Sequence, residues 1–163
     1  MSGKVIRTLR NSKLATALTE AELRSLASCG QIRDYSPEET ILKISIPDDL
    51  VFILQQGRVA LHISIWPEKG RCGGETKAEL TMPGETFGWT IWMRSDFLQI
   101  TAVAVEQTSL VVLYLAQLHD TQTFMNLSQR MLLLLYTTLQ ENGLCPPNIQ
   151  GVLELKHLLR RKG

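Results

Sequence analysis

Side chains suited to acid–base or metal chemistry are few in this chain and lie far apart. It has three histidines, His62, His119 and His157, and no two of them form an H-x-H pair. A β-barrel metalloenzyme needs His and carboxylate ligands that face one interior, whereas these histidines fall on different predicted elements. The sequence also lacks GxSxG, P-loop and HExxH motifs. We therefore expect no catalytic residue, no metal site and no enzyme activity.

The cysteines and the apolar segments indicate where the protein works. Cys29, Cys72 and Cys145 are widely spaced and form no CxxC motif, which is typical of a reducing compartment without a disulfide framework. The first residues contain no apolar signal-peptide region. The longest apolar run, residues 131–136, is far shorter than the ~20 residues that span a bilayer. We expect a cytoplasmic protein with no membrane partner. A net charge of +1 gives no overall attraction to nucleic acid.

The pattern along the chain predicts one mainly β domain with helices at both ends. Thr19 and Glu22 form a capping box, which predicts a helix over residues 20–29. Short strands are predicted at residues 40–46, 51–55, 58–65, 79–82, 101–105 and 109–115. Residues 66–77 contain Pro and three Gly, which predicts a long exposed hairpin loop. His62 falls on the polar side of its strand. The fold class is therefore α+β, with about eight antiparallel strands in a sandwich or barrel.

A long apolar helix is predicted after the last strand, and Gly143 with the following prolines would end it. Its apolar residues recur at three- and four-residue steps: Phe124, Leu127, Met131, Leu134, Leu135 and Leu139. Further leucines make the apolar region wider than one stripe. Such a helix has to bury more than one face, so we expect it to join a homodimer or bind a partner protein. Asp120, just before it, is expected to form a surface pair with His119.

Three segments, in order, resemble the cyclic nucleotide-binding domains of catabolite activator and Fnr-type proteins. Residues 52–61, FILQQGRVAL, are similar to the family's "F-I-x-x-G-x-V-x-V" hairpin. Residues 83–88, PGETFG, are similar to "x-G-d-x-F-G", and residues 18–26 resemble the helix before the β-roll. The resemblance covers residues 14–143. It implies an eight-stranded antiparallel jelly roll (a double-stranded β-helix) with an N-terminal helix and C-terminal helices.

The resemblance also implies a ligand site at the phosphate-binding cassette, where two residues depart from the family pattern. The family's Gly-Glu pair is here Gly88-Trp89, and its Arg-Ser/Thr-Ala triplet is Ile100-Thr101-Ala102. A shift by one residue would bring the neutral Gln99 to the position of the arginine. The candidate cassette residues are Phe87, Gly88, Trp89, Thr90, Gln99, Ile100, Thr101 and Ala102. A buried phosphate needs a cation and several amides, so Trp89 and Ile100 predict weakened or lost cyclic nucleotide binding. No other cofactor is expected.

These observations predict a non-catalytic regulatory or sensor module of the cyclic nucleotide-binding type. The alternatives are a working sensor for a cyclic nucleotide or another small molecule, and, less favoured, a jelly-roll enzyme. Residues 144–163 are expected to form a tail, with a short amphipathic helix as an option. This tail is too short for the helix-turn-helix domain of the family's activators, so we expect no direct DNA binding.

Overall fold

The computed structural model describes residues 3–43, 50–65, 74–89 and 98–141. Three α-helices lie in these ranges: α1 Gly3–Arg10, α2 Glu20–Ser28 and α3 Thr121–Glu141. Two short 3-10 helices span Ala15–Ala17 and Leu115–Gln117. The strands are β1 Gly30–Tyr35, β2 Thr40–Lys43, β3 Leu50–Gln56, β4 Val59–Ile65, β5 Gly74–Leu80, β6 Thr86–Trp89, β7 Leu98–Ala104 and β8 Thr108–Tyr114.

The described strands form two antiparallel four-stranded sheets. The first sheet has the order β1-β8-β3-β6 and the second has the order β2-β7-β4-β5. This confirms the mainly β class and the antiparallel sandwich with helices. None of the described helices is long and apolar enough to cross a membrane.

The two central strands of the first sheet are buried on both faces. Every residue from Val51 to Leu54 and from Leu110 to Leu113 is at most 1% exposed. Helix α1 covers part of one face of this sheet: it contacts β1 and β3, and a β-carbon added at Gly30 of β1 would lie 2.8 Å from Val5. The other face points to the second sheet, so the first sheet is the middle layer. Strands covered on both sides are continuously apolar, as these two are.

The second sheet is covered on one face only, and its strands alternate accordingly. In β4, Val59, Leu61 and Ile63 are buried at 0%, 6% and 1% exposure, whereas His62 between them is exposed. The predicted placement of His62 on the polar side is therefore confirmed.

Two elements that the sequence did not predict lie at the edges of the structure. Helix α1 buries Val5 and Leu9, which lie four residues apart on one helical face, but it has only 8 residues. Strand β1 has the sequence GQIRDY and pairs only with β8. As an edge strand it needs no continuous apolar pattern, and charges there protect its free edge.

The expectation of a loop over residues 66–77 is wrong in its last part. Strand β5 begins at Gly74 and pairs with β4 from Gly74–Ile65 to Leu80–Val59. The strand is polar because it lies at the edge of the second sheet. Its predicted end was also late, since residues 81 and 82 belong to a turn. Residues 66–73 and 44–46 lie outside the described ranges.

Side-chain hydrogen bonds cap the N-terminal ends of α2 and α3. Thr19 and Glu22 form the predicted capping box on α2, with the Glu22 amide 3.2 Å from Thr19 Oγ1. Asp120 caps α3, accepting from the amides of Gln122 and Thr123 at 3.1 and 3.3 Å. The expected surface pair of Asp120 with His119 is therefore wrong, because the Asp120 carboxylate binds the unsatisfied amides of the helix start instead.

Helix α3 packs its first half on the body of the domain. Leu127 and Met131 are buried, and Phe124 and Leu134 pack against the core with part of their surface exposed. These four are among the predicted partner-helix residues. Leu135 and Leu139 lie on the helix, but their side chains are outside what the structure describes, as are residues 142–163.

Candidate functional site

A rigid turn leads into β6, the strand that opens the predicted cassette. Glu85 Oε2 accepts hydrogen bonds from the amides of Thr81 and Met82, at 2.9 and 3.0 Å. The Gly84 amide donates to the Leu54 carbonyl at 2.8 Å. Gly84 has a φ of +96°, a conformation that glycine adopts readily. The turn thus fixes where β6 begins on the edge of the first sheet.

The strand itself packs tightly against β3. Phe87 pairs with Phe52, and the two rings stack with centroids 4.9 Å apart. Gly88 pairs with Val51, and a β-carbon added at Gly88 would lie 2.4 Å from the Leu50 carbonyl oxygen. Gly88 therefore has a structural reason to be glycine, whether or not a ligand binds beside it.

Strand β7 shows which residues of the triplet face the interior. Ile100 is 5% exposed and pairs with the buried Ile63 of β4. Two residues on, Ala102 is fully buried and pairs with Leu61. Because side chains alternate along a strand, Ile100 and Ala102 both face the interior between the sheets. Gln99 has the opposite phase, and its side chain is outside the described residues.

Thr101 lies on the other side of β7. It is partly exposed and pairs with Lys43 of β2 and His62 of β4, both exposed. Its hydroxyl therefore projects from the face opposite to Ile100, and only its backbone remains close to the interior. Thr90, the remaining candidate, lies outside the described residues, and Trp89 is described only as a strand residue.

The cassette strands contribute no charge to the interior. Neither Thr86–Trp89 nor Leu98–Ala104 contains an ionisable residue. Within the ranges that the structure describes, no three His, Cys, Asp or Glu residues are close enough to hold a metal ion. The Thr86 hydroxyl is buried and has no hydrogen-bond partner there. The described part of the site is therefore uncharged, and the Thr86 hydroxyl is a buried polar group within it.

Several solved structures have a fold similar to that of this chain. A candidate cyclic nucleotide binding protein from Ruegeria pomeroyi is 18% identical, with a TM-score of 0.57 over 86% of this chain and 63% of its own. The catabolite activator protein of Thermus thermophilus is 26% identical, with a TM-score of 0.55 over 90% of this chain and 63% of its own. The chain has the fold of a cyclic nucleotide-binding domain.

A third similar structure is the regulatory subunit of a cAMP-independent protein kinase A from Trypanosoma brucei. It is 16% identical, with a TM-score of 0.56 over 96% of this chain and 53% of its own. The chain thus spans between about half and two-thirds of the length of these three proteins. The sequence matches no protein-family model and no curated protein. At these identities the likeness establishes the cyclic nucleotide-binding fold, and the function has to be argued from the site.

Proposed function

We propose that this chain is a non-catalytic regulatory module, a jelly roll of the cyclic nucleotide-binding type with weakened or lost nucleotide binding. One observation carries the proposal. Ile100, which the resemblance aligns with the family's arginine, is 5% exposed and pairs with the buried Ile63. An apolar side chain there fills space that a guanidinium would share with a phosphate.

The electrostatic consequence is large. A cyclic phosphate that enters a partly buried site loses hydration, and only a cation and convergent donors can replace it. Loss of one partner of a buried charge pair costs about 2–5 kcal/mol, or roughly 30- to several-thousand-fold in affinity. A site of micromolar affinity would thus bind with about millimolar affinity.

The second part of the proposal concerns how helix α3 contacts a partner. The helix has 21 residues, and Met131 is the last one in it whose described side chain is fully buried. The following sequence, LLLLYTTLQE, is more apolar than a solvated helix end requires. We infer that this second half binds another copy of the chain or a partner protein, in the cytoplasm.

The direct test is a thermal-shift titration of the purified chain with cAMP, cGMP and cyclic dinucleotides up to millimolar concentration. A ligand that binds the native state has to stabilise it. We expect no saturable rise in Tm below about 1 mM ligand. A saturable rise in the micromolar range would overturn the proposal and establish a working sensor.

A gain-of-function variant makes a negative result informative. Ile100→Arg restores the guanidinium, so the variant alone should be destabilised by about 2–5 kcal/mol because the charge is buried without a partner. If the pocket geometry is that of the family, cAMP should recover part of this loss. Ile63→Arg is the matched control, since Ile63 is also buried and pairs with Ile100 on the neighbouring strand. Recovery by cAMP in both variants or in neither would show that position 100 is not the phosphate position.

A further inference from the structure

An arginine on the edge of the first sheet is held by two tyrosines. Arg33 lies in β1 and is exposed. Its Nη1 donates to the Tyr114 hydroxyl at 3.3 Å, and its guanidinium carbon lies 6.0 Å from the centre of the Tyr35 ring. Tyr35 is 8% exposed, so neighbouring residues restrict the position of its ring. The guanidinium is therefore oriented by its surroundings, although it is exposed to solvent.

The charge of Arg33 has no carboxylate in contact. The ion pairs of the described ranges join Arg10 and Arg24 to Glu20, and Lys13 to Glu85. Glu39 makes a minor electrostatic contribution to the raised pKa of Arg33. The largest cause of that raised pKa is the hydrogen bond with Tyr114.

The hydrogen-bonding capacity of this pair is only partly used. A guanidinium has five N–H donors, and Tyr114 takes one of them in the described structure. A hydroxyl that accepts from Arg33 can still donate its own proton to a third group. One acceptor group can therefore receive hydrogen bonds from both the guanidinium of Arg33 and the hydroxyl of Tyr114. Gln31, exposed and two residues before Arg33 on the same side of β1, adds an amide donor.

We propose that Arg33 and Tyr114 form a binding site for a compact phosphate-bearing anion, separate from the cassette. Phosphate oxygens suit the planar fork of a guanidinium, which can donate to two of them at once. Tyr35 is too buried to stack on a base, so recognition is of the phosphate group and not of a nucleoside. The site uses β1 and β8 alone and does not depend on whether the cassette binds a nucleotide.

The test is an NMR titration of the amide signals with inorganic phosphate at constant ionic strength. We expect saturable shifts confined to β1 and the end of β8. Arg33→Gln should weaken binding about tenfold or more, because it removes the charge-assisted bonds. Tyr114→Phe keeps the ring and removes the hydroxyl, so it should weaken binding by a smaller factor. Glu39→Gln removes a nearby negative charge and should strengthen binding.

Arg58→Gln is the control with the same change in charge. Arg58 is exposed, and its side chain forms no ion pair within the described ranges. The proposal is overturned if wild-type shifts do not saturate, or if Arg58→Gln weakens binding as much as Arg33→Gln. Methyl phosphate is the second probe. Tighter binding of methyl phosphate would indicate a phosphate monoester as the ligand, and tighter binding of inorganic phosphate would indicate the free ion. Shifts that extend into β6 or β7 would place the anion at the cassette and would overturn a separate site at Arg33.

Discussion

At the scale of single residues, Gly88 and Ile100 of the candidate cassette are both explained by packing. Gly88 is required by the close approach of β6 to the backbone of Leu50 and Val51. Ile100 is accommodated because the interior at that point is lined by other apolar groups, among them Ile63 and Ala102. The backbone frame and the ligand chemistry of a site can therefore be separated, since they depend on different residues.

The first prediction concerns Gly88. Gly88→Ala should lower the free energy of unfolding by about 1–3 kcal/mol, because the new methyl group has to displace the backbone of β3. Gly3→Ala is the control, since nothing lies within 4 Å of a β-carbon added there. Urea unfolding of both variants measures the difference. Equal stability of the two variants would contradict the packing argument.

At the scale of elements, one carboxylate links α2 to α3. Glu22 Oε1 accepts from the Thr19 amide at 2.9 Å to complete the capping box. Its other oxygen, Oε2, accepts from the Asn126 side chain of α3 at 2.8 Å. The Thr19 backbone bond is the largest cause of a lowered pKa at Glu22, with the Asn126 bond as a further one. The position of α3 therefore depends in part on an ionised Glu22.

The second prediction is a pH dependence of this link. A lowered folded-state pKa stabilises the fold above the unfolded value of about 4.3, and the effect is lost as pH falls through the folded-state pKa. Glu22→Gln should therefore lower stability at pH 7 by about 0.5–1 kcal/mol, a small figure because the carboxylate is largely solvated. At pH 3 the two proteins should be nearly equal.

Unfolding curves between pH 3 and 7 measure this gap. Glu79→Gln is the control, because Glu79 is an exposed strand residue whose backbone pairs with Ala60. A gap that stays constant with pH, or one that Glu79→Gln reproduces, would show that ionisation of Glu22 does not stabilise the fold.

At the scale of the whole molecule, the two sheets differ in how many of their faces are covered. The first sheet is covered by helices and by the second sheet, whereas the outer face of the second sheet carries exposed residues such as His62 and Lys77. Helix α3 contacts the body of the domain near α2, β6 and the 3-10 turn at Ala15–Ala17. Its Arg130 donates to the Lys13 carbonyl at 3.2 Å, which holds the middle of the helix beside the turn before β6.

The third prediction concerns assembly through the second half of α3. We expect sedimentation of the wild-type chain to show an oligomer or, with its partner, a complex. Leu135→Glu with Leu139→Glu should dissociate it, because two charges would be buried in an apolar contact. Thr137→Glu is the control, since Thr137 is exposed on the same helix. A wild-type chain that is monomeric and binds no partner, or a mass that the double variant does not change, would contradict this role of α3.

Much of the architecture follows from local patterns in the sequence. The capping box at Thr19, the alternation in β4 and the three- and four-residue spacing in α3 are local signals, and each predicted its element correctly. The edge strands β1 and β5 were missed or shortened because their exposed positions permit polar residues. Helix α1 was missed because a helix of 8 residues is too short to be stable alone, although Val5 and Leu9 have helical spacing. In these cases tertiary packing, and not local propensity, forms the element.

The sequence alone determined the class of fold and the absence of ionisable residues from Thr86–Trp89 and Leu98–Ala104, since both depend on residue types and their order. Only the tertiary structure decided that Ile100 and Ala102 face the interior while Thr101 faces outward, because the phase of a strand depends on its pairing with neighbours. The same holds for Arg33 and Tyr114. They are 81 positions apart in the chain, and only the pairing of β1 with β8 brings the guanidinium and the phenol together.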